Sequence, residues 1–206
     1  MTSTDHSAHS WFRSANCDGG YGAALCAALA VILAVAATGD AGRGALRYER
    51  TALAHYQWWR LVTAHLVHLS LWHTLLDSTG LVLMWILFAR EFSPRRWLVI
   101  LLCSAAAIDA GLWFLSPEVD WYLGASGVLH GALAAGAVAW YRRADAMGAA
   151  LVVLLVAKLI YEHLHGTSVL AQGLPLVPQA HLYGALGGLA GMAGAGRPLR
   201  RAPKSL

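Results

Sequence analysis

Glycines at positions 124 and 127 flank Ser126 in the run Gly124-Ala125-Ser126-Gly127, and a histidine follows at His130. Serine is a poor nucleophile without a base, and histidine is the usual base. Glycine removes bulk around the hydroxyl and permits a sharp turn, so a substrate backbone can reach the oxygen. A helix starting here would leave its first N–H groups without intrahelical partners, and these can hold a developing oxyanion. The plain alternative is a serine N-cap followed by a glycine for close helix packing.

Two histidines compete as the base. His130 lies four residues after Ser126, on the same helical face, and its side chain would lean back towards the serine. His181 lies far along the chain, among Gly184, Gly187, Gly188 and Gly191, whose small-xxx-small spacing matches that of Gly127 and Gly131. Such spacing lets two helix backbones approach closely, which would bring His181 against Ser126. Each also has a structural reading, His130 as a buried packing residue and His181 as a cap. His73 and Asp77 are spaced to share a helical face; they could serve an oxyanion or simply pair with each other. His65 and His68, three apart just before them, fit packing or capping as well as chemistry.

The elements that must position these groups are set by composition. The 206 residues are 58% hydrophobic and only 13% charged, with a mean hydropathy of +0.52. A soluble domain is nearer half apolar and a quarter charged, so the exterior is expected to face lipid. Disordered, coiled-coil and disulfide-scaffold classes are excluded; of three cysteines, Cys26 and Cys103 lie in apolar runs and Cys17 in polar sequence. The net charge of +4 comes from arginines spread between apolar segments, a membrane pattern and not a nucleic-acid patch.

Apolar runs of transmembrane length, roughly 17–25 residues, predict an all-α membrane protein with six spans, several of them short. These are about Gly22–Thr38, Leu71–Ala89, Trp97–Leu115, Ser126–Tyr141, Met147–Tyr161 and Ala180–Gly196. Residues 1–20 form a polar tail, 21–196 the membrane domain and 197–206 a basic tail. The first run also has the features of a signal peptide, but the polar stretch before it and the five spans after it favour a retained helix. Arg90, Arg95, Arg96, Arg142, Arg143, Arg197, Arg200, Arg201 and Lys204 fall in alternate loops and the C-terminal tail. That places both termini in the cytoplasm. The loop 39–60 runs against the rule with Arg43, Arg47, Arg50 and Arg60; Tyr56, Trp58 and Trp59 suit amphipathic pieces at the interface. With this orientation Ser126, His181 and His73 all start descending spans, so three spans bring polar groups to one layer near the outer face. Polar groups in hydrocarbon are costly unless paired and mark function by default.

Together these segments resemble the rhomboid intramembrane serine proteases. The resemblance rests on Trp59-Arg60, the run from Thr63 to His73, Gly124-Ala125-Ser126-Gly127, and Ala180-His181-Leu182-Tyr183-Gly184, and covers about Arg47 to Gly196. It implies a rhomboid-like six-transmembrane helix bundle with a Ser–His dyad and no third acid. Ser126 would be the nucleophile and His181 the general base. His73 would form the oxyanion hole with the Ser126 N–H, with Gly124, Gly127 and Asp77 beside it. The family carries asparagine where Asp77 stands. An ionised carboxylate would oppose an oxyanion, so Asp77 must be protonated, turned to hold His73, or outside the hole. No cofactor or metal is implied, although ten histidines also admit a histidine-ligated metal protein, in which the glycine-flanked serine would have no purpose.

The compact chain and the extension to His130-Gly131 are most similar to the rhombosortase subgroup, with His130 a subgroup-specific candidate. That similarity implies a bacterial inner-membrane enzyme. It would cut exported proteins bearing a C-terminal, Gly-Gly-containing transmembrane anchor with a basic tail, near the periplasmic face. Release of the acyl-enzyme by water or by transfer to an amine is left open. The alternatives are a rhomboid protease acting on other single-span substrates and a non-catalytic binder of membrane helices.

Overall fold

The computed structural model describes residues 20–166 and 177–194. Its helices are α1 (Tyr21–Ala36), α2 (Gly39–Leu46), α3 (Arg50–Ala54), α4 (Arg60–Thr63), α5 (Leu71–Phe88), α6 (Pro94–Phe114), α7 (Ser126–Tyr141), α8 (Ala146–His165) and α9 (Pro178–Gly194). Two short strands, β1 (Tyr48–Glu49) and β2 (Trp121–Tyr122), pair antiparallel, Tyr48 opposite Tyr122. The starts of the longer helices follow from local chemistry. Ser70 and Ser93 cap α5 and α6 by accepting from His73 N–H and Arg96 N–H, with Pro94 in the first turn of α6. Asp145 caps α8, and Gly166 ends it in the left-handed region at φ 65°.

Among the described residues, α5, α6 and α8 are each long and apolar enough to cross a membrane, and α1 with α2 makes a fourth candidate bent by 107°. The expected fourth and sixth spans are the helices α7 and α9, of 16 and 17 residues. Both are shorter than the roughly 20 residues a span typically takes, and buried glycine and alanine line them. They form the inside of the bundle, with α5, α6 and α8 carrying the apolar exterior. Leu83, Ile86, Leu98, Leu102, Val153 and Leu154 are all exposed. Outward-facing leucine and valine at this density mark a lipid-facing surface; the chain is an integral membrane protein. The expected tails lie almost wholly outside the described residues.

The segment between α1 and α5 carries the arginines that ran against the charge rule. The α1–α2 bend starts it, and Tyr56, Trp58 and Trp59 are exposed as interfacial aromatics would be. Arg60 is buried and donates to the carbonyls of Gly44 (2.9 Å) and Arg47 (2.8 Å) and to Gln57 Oε1 (2.8 Å). One guanidinium thus fixes the shape of the segment. It delivers β1 to β2, and Ala64 C=O to the N–H of Gly124 at 2.9 Å.

Helices α7 and α9 meet backbone to backbone. A β-carbon at Gly184 would fall 2.0 Å from the Gly127 carbonyl oxygen, and one at Gly188 would fall 2.2 Å from that of Gly131. No side chain can move aside to relieve such a contact, because the obstacle is main chain. Gly184→Val is therefore expected to cost about 1–3 kcal/mol or more by overpacking. Gly194→Ala, which meets nothing within 4 Å, should stay within about 0.5 kcal/mol. Thermal unfolding in detergent checks this; equal midpoints for the two variants would show that the contact is not as tight as described.

Candidate active site

Ser126 is the first residue of α7, and the capping position is Ala125, which has no side-chain cap. The serine hydroxyl is therefore not an N-cap. Its Oγ lies 2.9 Å from His181 Nε2. Gly124, at φ +119°, makes the turn into the helix; a β-carbon there would be strained and would sit 2.9 Å from the His73 ring. Tyr122 spans the turn, donating to Gly124 C=O at 2.8 Å. Burial first, and then the nearby carboxylate of Asp77, push the Tyr122 hydroxyl up, which keeps its proton available for Gly124.

His181, buried near the start of α9, is held from two further sides. Its Nδ1 lies 2.7 Å from Oε2 of Glu162, near the end of α8. Its ring stacks on that of His130, centroids 4.1 Å apart and planes 13° apart. His130 is the other candidate base, but its Nδ1 faces the Ser126 backbone carbonyl at 2.7 Å, and its Nε2 faces Lys158 Nζ at 2.8 Å. Lys158 also pairs with Glu162 Oε1. Both partners of His130 are thus other than the serine hydroxyl, and the hydroxyl faces His181.

The proton positions follow from the partners. Carboxylates and carbonyls only accept, so His181 donates Nδ1–H to Glu162 and His130 donates Nδ1–H to Ser126 C=O. In the neutral rings both Nε2 atoms are then acceptors, one for the serine hydroxyl and one for the lysine ammonium.

The second cluster sits on α5 and the segment before it. The Leu69 N–H donates to His73 Nδ1 at 3.4 Å, which leaves the proton of the neutral ring on Nε2, the nitrogen nearest Gly124. Asp77 Oδ2 accepts from the Ala125 N–H at 2.8 Å and lies 3.0 Å from His68 Nε2; His73 Nε2 is farther, at 3.6 Å. The aspartate is therefore turned to the N–H of Ala125, in the turn before Ser126, and to His68, and makes no hydrogen bond to His73. His65 lies 3.5 Å from Asp109.

All seven residues singled out from the sequence (His73, Asp77, Gly124, Ser126, Gly127, His130 and His181) come together at one end of the bundle. Glu162, Lys158, Tyr122 and the His68–Asp77 pair were not anticipated. Lys158 and Glu162 carried a signal, a helical i,i+4 ion pair in an otherwise apolar run.

His130, Glu162 and His181 present ligating atoms within 4.8 Å of one another. The Lys158 ammonium bonds both His130 and Glu162, so the positive charge that a metal ion would bring to these groups is already supplied by the chain.

Asp77→Ala would leave the Ala125 N–H without its acceptor and cost about 1–3 kcal/mol, whereas Asp77→Asn keeps an oxygen there and should cost less. Thermal midpoints compare the two. Equal losses would mean that the bond to Ala125 contributes nothing.

A family profile described as Rhomboid domain matches residues 55–197, more than half of the chain. No curated protein and no solved structure matches it significantly.

Proposed function

The chain belongs to the rhomboid family of intramembrane serine proteases, and on that premise we propose that it is an active protease of the rhombosortase type. Its substrates are exported proteins held in the membrane by a C-terminal, Gly-Gly-containing helix with a basic tail. The observation that carries this reading is the 2.9 Å contact of Ser126 Oγ with His181 Nε2 at a glycine-flanked helix start.

The substrate helix enters from the bilayer and unwinds at its end, exposing a peptide carbonyl to Ser126. As the Oγ–C bond forms, His181 Nε2 takes the hydroxyl proton. The developing oxyanion is met by the N–H of Ser126, a first-turn donor of α7, and by His73 Nε2–H. Asp77 holds the turn and His68, and contributes no donor to the hole. When the C–N bond breaks, His181 returns the proton to the leaving amine, and water or an external amine then releases the acyl group. The subgroup reading is supported by His130-Gly131. Gly131 lies against Gly188, and His130 stacks on the base, so both bear on the position of His181. The same reading places the site near the periplasmic face of a bacterial inner membrane, with both termini cytoplasmic.

Ser126→Ala and His181→Ala should each abolish cleavage of a Gly-Gly-tailed reporter in membranes, a loss of about 10³-fold or more. Full activity in either variant overturns the dyad. An inactive His130→Ala beside an active His181→Ala would reverse the base assignment. Equal cleavage of single-span reporters lacking the Gly-Gly tail would assign the chain to general rhomboid proteolysis.

A further inference from the structure

We propose that Glu162 is the third member of the catalytic chain, a positioning residue that makes the Ser–His pair a Ser126–His181–Glu162 triad. Lys158 and His130 form the clamp that holds its carboxylate in place. The inference rests on the serine-protease reading above and departs from a dyad without an acid.

The geometry is that of a relay of single partners. Glu162 is 1% exposed, and one carboxylate oxygen faces His181 Nδ1 at 2.7 Å while the other pairs with Lys158. A carboxylate taken out of water is costly unless it is paired and hydrogen-bonded on both oxygens, and here both are engaged. The ammonium is itself shared with His130 Nε2 at 2.8 Å, and His130 Nδ1 returns to the Ser126 carbonyl at 2.7 Å. The five side chains and one carbonyl close a ring that begins and ends at Ser126. Charge within the ring sums to zero when both histidines are neutral.

Each link has a consequence for the reaction. The carboxylate fixes the Nδ1–H tautomer of His181, so that Nε2 is the acceptor that faces the hydroxyl. When Nε2 takes the serine proton, the imidazolium forms 2.7 Å from a fixed negative charge in a low-dielectric interior, where such pairing is strong. Glu162 stays unprotonated throughout; the proton travels from Oγ to Nε2 and on to the leaving group. Lys158 keeps the carboxylate charged before the reaction starts. The stacked His130 ring bars rotation of the His181 ring out of line.

The test uses the full chain in lipid nanodiscs and a fluorophosphonate reagent, which reacts with an activated serine and requires no knowledge of the substrate. The maximal inactivation rate is separated from the reagent's binding constant. Glu162→Gln keeps an oxygen to accept from Nδ1 but removes the charge. It should slow the maximal rate by up to about 10⁴-fold, the loss that follows neutralising the carboxylate of a Ser-His-Asp triad, with the binding constant within about twofold. Glu162→Asp should recover part of that rate.

Because Glu162→Gln leaves Lys158 without its ion pair, Lys158→Met/Glu162→Gln is measured beside it as a variant with no unpaired charge. The double variant should unfold near the wild-type temperature and stay slow. Labelling that persists in Ser126→Ala or His181→Ala overturns the serine-protease reading and this inference with it. If those two are unlabelled while Glu162→Gln reacts within threefold of wild type, or the double variant regains the wild-type rate, the triad alone is overturned.

Discussion

At Gly184 and Gly188 the main chain of α9 approaches the carbonyls of Gly127 and Gly131 to within the space of one missing β-carbon, and the rest of the site is built outward from that approach. Packed helices ordinarily have their axes about 8–10 Å apart, depending on the side chains at the contact, and small residues on both helices allow a closer approach. Removing the β-carbons brings Ser126, one residue before Gly127, opposite His181, three before Gly184. Lipid offers no hydrophobic force to press two helices together, so close packing and shared polar contacts must do it. The same glycines therefore serve stability and the alignment of the hydroxyl with its acceptor.

Once α7 and α9 are locked, His130, His181 and the facing Glu162 are buried, and their partners come from the chain. The hydrogen bonds run from serine to His181, from His181 to Glu162, from Lys158 to both Glu162 and His130, and from His130 back to the Ser126 carbonyl. On the other side of the serine, Asp77, Tyr122 and the Ala64 carbonyl fix the turn that precedes α7 through main-chain contacts. Ser126 thus stands between a network that governs its proton and a frame that governs its position. His73 is the side chain placed against the turn by Gly124 and is left with a donor facing it.

Much of this was legible in the sequence because its signals are local. The apolar run about Ser126–Tyr141 has the bounds of the helix, and small-xxx-small spacing is enough to pair α7 with α9. What escaped depended on distance in the chain. Ending the fifth span at Tyr161 put Glu162 one residue beyond it, whereas Gly166 carries α8 on to His165 and turns the glutamate into the bundle. The β1–β2 pairing, two residues a side, is too short to leave a pattern. Whether Ser126 caps or reacts was not decidable from the tetrapeptide, because both uses favour serine before glycine. The difference lies in Ala125 taking the cap position. In sequence Asp77 poses a conflict with an oxyanion, because the N–H that occupies it belongs to a residue 48 positions away.

The central claim is that Ser126 carries the covalent step. The most direct measurement is to quench a reaction of the full chain with a Gly-Gly-tailed reporter in acid and map the acyl-enzyme by mass spectrometry. The account predicts the N-terminal part of the reporter in ester linkage to Ser126, with the C-terminal fragment released as a free amine. An acyl group on any other residue, or cleavage with no acyl-enzyme formed under conditions that trap one in a known serine protease, would contradict it.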